Sequence, residues 1–153
     1  MAEGICRTEA RQRGLMEGGG GRILIDSAGT GGWHVGAPPD PRAVAVAARH
    51  GVDLRDLRAR KVAAEDFDHF HFILAMDRDN LAALRAVCPE ERQDRLHLLM
   101  DFARSPGIRE IPDPYFAMNE AGFERIFFTI RDGISAFLDH LEQSGALNRA
   151  PCF

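Results

Sequence analysis

Phe72-Ile73-Leu74-Ala75-Met76 is a short, unbroken apolar run closed by Asp77. A strand with one face in water alternates apolar and polar side chains, so a continuous run belongs to a strand covered on both faces, as in a parallel sheet. Asp77 is then the cap of the next helix, which carries Leu81, Leu84 and Val87 and is stopped by Pro89. Residues 96–100 supply a further strand, so strand, helix and strand follow one another. That order predicts an α/β fold: a parallel sheet with helices on both faces, right-handed crossovers, and ligands at the carboxyl ends of the strands.

The flanking segments fit that frame. Residues 2–16 read as a polar, Arg/Glu-rich helix, ended by Gly18-Gly19-Gly20-Gly21 or the chain beside it. The glycine run is a linker or turn without the spacing of a phosphate-binding loop. Residues 22–28 form a strand candidate running into Gly29-Thr30-Gly31-Gly32. Asp40 and Pro41 are an N-cap and first-turn pair, starting a helix through Ala43, Val46 and Ala47 that stops at Gly51. Residues 53–61 are a charged connector, and residues 64–68 a short helix. Phe123, Ile126, Phe127, Ile130, Ile134, Phe137, Leu138 and Leu141 keep helical spacing, which predicts a long amphipathic C-terminal helix ending near Gly145. Three strands are visible, where such a sheet normally has at least four. The loops after them cover residues 29–36, 77–80 and 101–116.

Composition narrows the function classes. The 153 residues fit one domain, 1–153, with an ordinary 45% hydrophobic and 27% charged content. A net charge of −4 argues against wholesale binding to nucleic acid or to an anionic membrane. Cys6, Cys88 and Cys152 form no Cys-x-x-Cys pair, which points to a reducing, cytoplasmic setting. No run of about 18 apolar residues exists, and the N-terminus carries no hydrophobic signal segment.

The candidate chemistry lies in Ile111-Pro112-Asp113-Pro114-Tyr115-Phe116. Two prolines restrict the backbone on either side of one carboxylate, and two aromatic rings follow at once. A rigid loop offering an acid beside an aromatic wall suits proton donation to a leaving group; the plain alternative is a solvated turn. His34 beside Trp33 has no second ligand at metal spacing and reads as a structural histidine. His69 and His71 alternate at a strand start and mark a solvated sheet edge. Asp77, Asp79 and Asn80 look like part of a metal loop, but capping accounts for Asp77 better. Ser27 lacks the Gly-x-Ser-x-Gly elbow of a serine nucleophile.

Three segments, in order, resemble the low-molecular-weight protein tyrosine phosphatase family. They are Asp26-Ser27-Ala28-Gly29-Thr30 with Trp33-His34-Val35-Gly36 and Pro39-Asp40-Pro41-Arg42; Asp66-Phe67 through Ile73-Leu74-Ala75-Met76-Asp77 with Asn80; and Asp113-Pro114-Tyr115-Phe116. The resemblance covers roughly residues 22–140. It implies a nominally four-stranded parallel sheet with flanking helices, no metal and no organic cofactor. It also implies hydrolysis of a phosphotyrosine protein or a small phosphate monoester through a cysteinyl-phosphate. In the family the cysteine opens a Cys-x5-Arg-Ser/Thr loop between the first strand and the first helix. Backbone N–H groups there bind the phosphate and lower the thiol pKa. By resemblance Asp113 is the general acid, worth about 10²–10⁴-fold, and Trp33, Tyr115 and Phe116 are walls of the cleft. An arsenate reductase or phosphoarginine phosphatase on the same scaffold, or a non-catalytic interaction protein, are the alternatives.

The resemblance breaks at the nucleophile. Six positions after Cys6 stands Gln12, six after Cys88 stands Asp94, and Cys152 is followed only by Phe153. On the register of the resemblance Met1 follows the phosphate loop, so Cys6 falls inside the first helix as an inert thiol, and Cys88 and Cys152 are read the same way. The family's first strand is absent as well, which would leave its two neighbours unpaired inside the sheet. The expectation is that Met1 is an internal methionine of a longer product. Alternatively the short form repairs its sheet, as a homo-oligomer or by moving another segment into the gap. Leu57 stands where the family often has a histidine that braces the phosphate loop. The chain as given is expected to be inactive.

Overall fold

One long helix, α5 (Glu120–Ser144), carries the larger of two apolar cores. The computed structural model describes residues 1–16, 23–104, 107–113 and 119–149. The Gly18-Gly19-Gly20-Gly21 run, Arg22, Ser105-Pro106, Pro114-Tyr115-Phe116 and Cys152 lie outside the described residues. Asn119 starts α5 by accepting the Gly122 N–H at 2.9 Å, and Gly145 ends it at φ 68°, a left-handed conformation that glycine adopts without a Cβ clash. Phe123, Phe127, Phe137, Leu138 and Leu141 are all but fully buried along its inner stripe. Each such side chain contributes about 1.5–3 kcal/mol on leaving water.

Helix α1 (Ala2–Gln12) and helix α2 (Pro41–Arg49) pack on α5. Just beyond α1, the Arg13 guanidinium reaches Asp139 at 2.8 Å and the Ser135 hydroxyl at 2.9 Å, tying the end of one helix to the side of another. Helix α2 begins as its sequence predicts: the Asp40 carboxylate accepts the Arg42 N–H at 2.8 Å, with Pro41 in the first turn. Helix α1 is shorter than predicted and ends at Gln12 rather than 16. The physical reason is Gly14, which takes φ 72° and turns the chain so that the Leu15 N–H returns to the Ala10 carbonyl at 2.8 Å.

After the short helix α3 (Asp66–His69), strand β1 (Ile73–Ala75) leads into helix α4 (Arg78–Val87), and strand β2 (Leu96–Leu98) returns parallel to β1. In this register Ile73, Leu74 and Ala75 face Leu96, His97 and Leu98. Alternation along β1 sends Phe72, Leu74 and Met76 to the α5 core, while Ile73 and Ala75 join a second core with Phe67, Leu81 and Leu84. That two-sided covering is what the unbroken apolar run requires. The protein is an α/β fold with helices on both faces of a parallel sheet.

Several expectations need correction. Among the described residues the sheet has two strands, fewer than the three read and the four expected. Residues 23–28 bury Ile23 and Ile25 as a strand would and make a single bridge at Leu24, but among the described residues no ladder extends along them. Residues 99–101 tighten into a 3₁₀ turn instead of prolonging β2. Val87 is largely exposed, and Cys88, one residue on, fills the core position instead. His69 ends helix α3 and His71 precedes β1, so the two histidines do not share a strand.

Candidate functional site

The Trp33 loop is stapled to the connector that follows α2. At one end the Gly29 N–H donates to the Arg60 carbonyl at 2.8 Å, and Val62 donates back to Gly29 at 3.0 Å. At the other end Gly36 donates to Ala59 at 2.7 Å, and Ala59 donates to Ala37 at 2.9 Å. Between these clamps the indole lies over Gly31, where a Cβ would stand only 1.9 Å from a Trp33 ring carbon. Trp33 remains 89% exposed. An indole this exposed on a pinned loop is no core residue.

Beneath the loop, Arg60 is fully engaged. Its guanidinium grips both Asp66 oxygens, at 2.8 and 3.0 Å, and Asp26 at 3.0 Å. Burial pushes the Asp66 carboxyl up, but the Arg60 guanidinium and the Ala63 N–H outweigh it and hold the group below the ordinary carboxylate range. Arg58 turns its guanidinium onto the carbonyls of Arg55 and Leu57, at 2.8 and 2.6 Å. Leu57 packs against the larger core. These arginines therefore hold the loops in place.

A cavity of about 550 Å³ opens below Trp33. Ile25, Ser27 and Gly29 wall one side, and Phe72, Leu74 and Met76 the other. Its walls also include Glu3 and Cys6 of α1. Glu3 is buried, bonded to the Ser27 hydroxyl and paired with Arg7 at 2.5 Å. Sequence reasoning missed this link; the available signal was a carboxylate in the first turn of a helix, where it meets the positive end of the dipole. Burial, with Glu9 nearby, pushes the Cys6 thiol up to about 12, the reverse of an activated thiolate. Burial also raises Cys88.

The Asp113 loop is anchored at the same end of the sheet. The buried Ile111 donates its N–H to the Met76 carbonyl at 2.8 Å, immediately beyond β1. The next residue, Asp77, accepts the Asn80 N–H at 2.6 Å and caps α4, as its sequence predicts. Asp113 itself is exposed, two residues past the anchor. The structure thus brings Trp33 and Met76 to one cavity and ties the Asp113 loop to Met76; Tyr115 and Phe116 lie outside the described residues. Among the described residues no three His, Cys, Asp or Glu side chains are grouped to hold a metal ion.

Comparison with known proteins places this geometry. Residues 1–147 match the low molecular weight phosphotyrosine protein phosphatase family. The chain is 33% identical over 147 residues to low molecular weight protein-tyrosine-phosphatase YfkJ of Bacillus subtilis, spanning 96% of this chain and 90% of that one. A crystal structure of the protein tyrosine phosphatase from Entamoeba histolytica with Hepes in its active site aligns with a TM-score of 0.87 at 31% identity, covering 94% of this chain and 88% of that one. The structure of a Drosophila arginine phosphatase aligns with a TM-score of 0.80 at 30% identity, covering 91% and 87%. The chain belongs to the low molecular weight phosphotyrosine protein phosphatase family.

Proposed function

We propose that residues 1–153 form one phosphatase-type domain whose site is shaped to hydrolyse phosphotyrosine in proteins, or small aryl phosphates, by way of a cysteinyl-phosphate. The observation that carries this reading is the anchoring of the Asp113 loop to Met76, on the same cavity wall that Trp33 overhangs. In this chemistry a thiolate attacks phosphorus, the bond from phosphorus to the aryl oxygen breaks, and Asp113 gives its proton to the departing phenolate. Water then attacks the phosphocysteine and the Asp113 carboxylate takes up a proton. Trp33, Tyr115 and Phe116 flank the aromatic leaving group.

No cysteine of the chain stands six residues before an arginine, and Cys6 is held as a neutral thiol. Residues 1–153 alone therefore have no group to accept the phosphoryl, and we expect no turnover from them. Hydrolysis of p-nitrophenyl phosphate is the test: background rates from the 153-residue chain, and vanadate-sensitive turnover once an apolar strand and a Cys-x5-Arg-Ser loop are joined ahead of Met1. Vanadate-sensitive turnover by residues 1–153 alone would overturn the inactivity, and none from the extended chain would overturn the phosphatase site.

A phosphoarginine substrate is the second reading, favoured by the alignment with an arginine phosphatase. Comparing phosphoarginine with phosphotyrosine as substrates of the extended chain separates the two; the exposed indole of Trp33 favours the aromatic ester. No helix among the described residues is long and apolar enough to cross a membrane. The free, buried Cys6 and Cys88 fit the cytoplasm. The net charge of −4 fits protein or small-molecule partners rather than nucleic acid or membrane.

A further inference from the structure

The loop that carries Asp113 meets the start of α4 at two neighbouring points. Asp77 is extended, at φ −141° and ψ 175°, so the Met76 carbonyl before it and the Arg78 N–H after it face the same side. Residues 110 and 111 lie along that side. The Ile111 N–H donates to the Met76 carbonyl at 2.8 Å, and the Glu110 carboxylate accepts the Arg78 N–H at 3.3 Å. The other Glu110 oxygen pairs with the Arg78 Nε, also at 3.3 Å. One carboxylate thus grips both the backbone and the side chain of the first residue of α4, where the helix dipole favours a negative group.

The plain alternative is a solvated surface ion pair. The side chains of Arg78 and Glu110 are 70% and 40% exposed, and a pair so placed adds little to global stability. Its effect is local. Ile111 is buried, Pro112 fixes its own φ and restricts Ile111, and Asp113 comes next. Few free dihedrals therefore separate the two-point contact from the Asp113 carboxylate.

We propose that Glu110 is a positioning residue for Asp113. Through Arg78 it sets how far into the cleft the loop carries the acid, and so how well the proton reaches the leaving-group oxygen. The inference rests on the reading of Asp113 as general acid; a displacement of about 1 Å at such a group costs up to about 10²-fold. Glu110 itself transfers no proton, since both its oxygens stay on Arg78.

Hydrogen exchange in the 153-residue chain tests the contact itself. Glu110→Ala should speed exchange at the Ile111 amide by about tenfold, with the α5 amides and Tm unchanged. Glu110→Gln, which keeps an oxygen for the Arg78 N–H, should restore most of the protection. Turnover in the chain extended by a Cys-x5-Arg-Ser loop tests the consequence. There Glu110→Ala should lower kcat for phenyl phosphate by about tenfold with KM little changed. The loss should be far smaller for p-nitrophenyl phosphate, whose leaving group needs less help from a proton. Added to Asp113→Asn, the same substitution should cost nothing further, because no proton is left to place. Unaltered Ile111 exchange, an equal loss on both esters, or a full additional loss in the Asp113→Asn background would overturn this inference alone. No turnover of either ester by the extended parent would overturn the phosphatase reading and this inference with it.

Discussion

Ile111 donates its backbone N–H to the carbonyl of Met76 at 2.8 Å, joining the loop that carries Asp113 to the carboxyl end of β1. Ile111 is buried and Asp113 is exposed, so one end of the loop is fixed in the core while the carboxylate reaches solvent. In an open α/β sheet ligands bind where strands end. Here that end gathers the Met76 carbonyl, the Asp77-capped start of α4 and the Trp33 loop.

Gly31 governs where the indole of that loop can lie. A Cβ at this position would sit 1.9 Å from a Trp33 ring carbon, so Gly31→Ala should expel the indole from its present place. Trp33 is the sole tryptophan of the chain, and its fluorescence reports the change directly. A shifted emission spectrum with far-UV circular dichroism retained is the expected result. An unchanged spectrum would mean that the indole does not rest over Gly31.

Acid should loosen the connector under the loop. The folded pKa of Asp66 lies below its ordinary value of 3.8, so its stabilising effect is fully present above that value and is lost as pH falls through the lower, folded one. Asp66→Asn should therefore lower Tm at pH 7, with the gap to the parent closing as pH drops below about 4. A gap independent of pH would show that Asp66 acts through packing rather than charge.

Cys6 should resist alkylation. Its thiol, buried and raised to about 12, is almost entirely protonated at pH 8. Iodoacetamide at pH 8 should leave Cys6 unmodified in the native chain and label it once the chain is denatured, as read by peptide mass mapping. Fast native labelling would mark Cys6 as an accessible thiolate and reopen it as a nucleophile.

Local signals proved legible where one short segment contains both cause and effect. Asp40 with Pro41, and Asp77 with Asn80, cap their helices through bonds a few residues long. The apolar run around Leu74 states by itself that both faces are covered. Residues 23–28 were harder, because an apolar segment becomes a strand only through a ladder with a distant backbone, and among the described residues only a single bridge at Leu24 forms. Glu3 and Ser27 stand 24 residues apart, and the local sign, a carboxylate in the first turn of α1, does not name its partner. At Val87 the helical spacing pointed inward, but Cys88 took the buried position as α4 ended.

The most direct measurement concerns Asp113. In a chain carrying a Cys-x5-Arg-Ser loop ahead of Met1, Asp113→Asn should lower kcat for phenyl phosphate by about 10²-fold or more, with Tm unchanged. The loss should shrink for p-nitrophenyl phosphate, whose leaving group needs less help from a proton. Equal kcat values for parent and variant on phenyl phosphate would contradict the assignment of Asp113 as the acid.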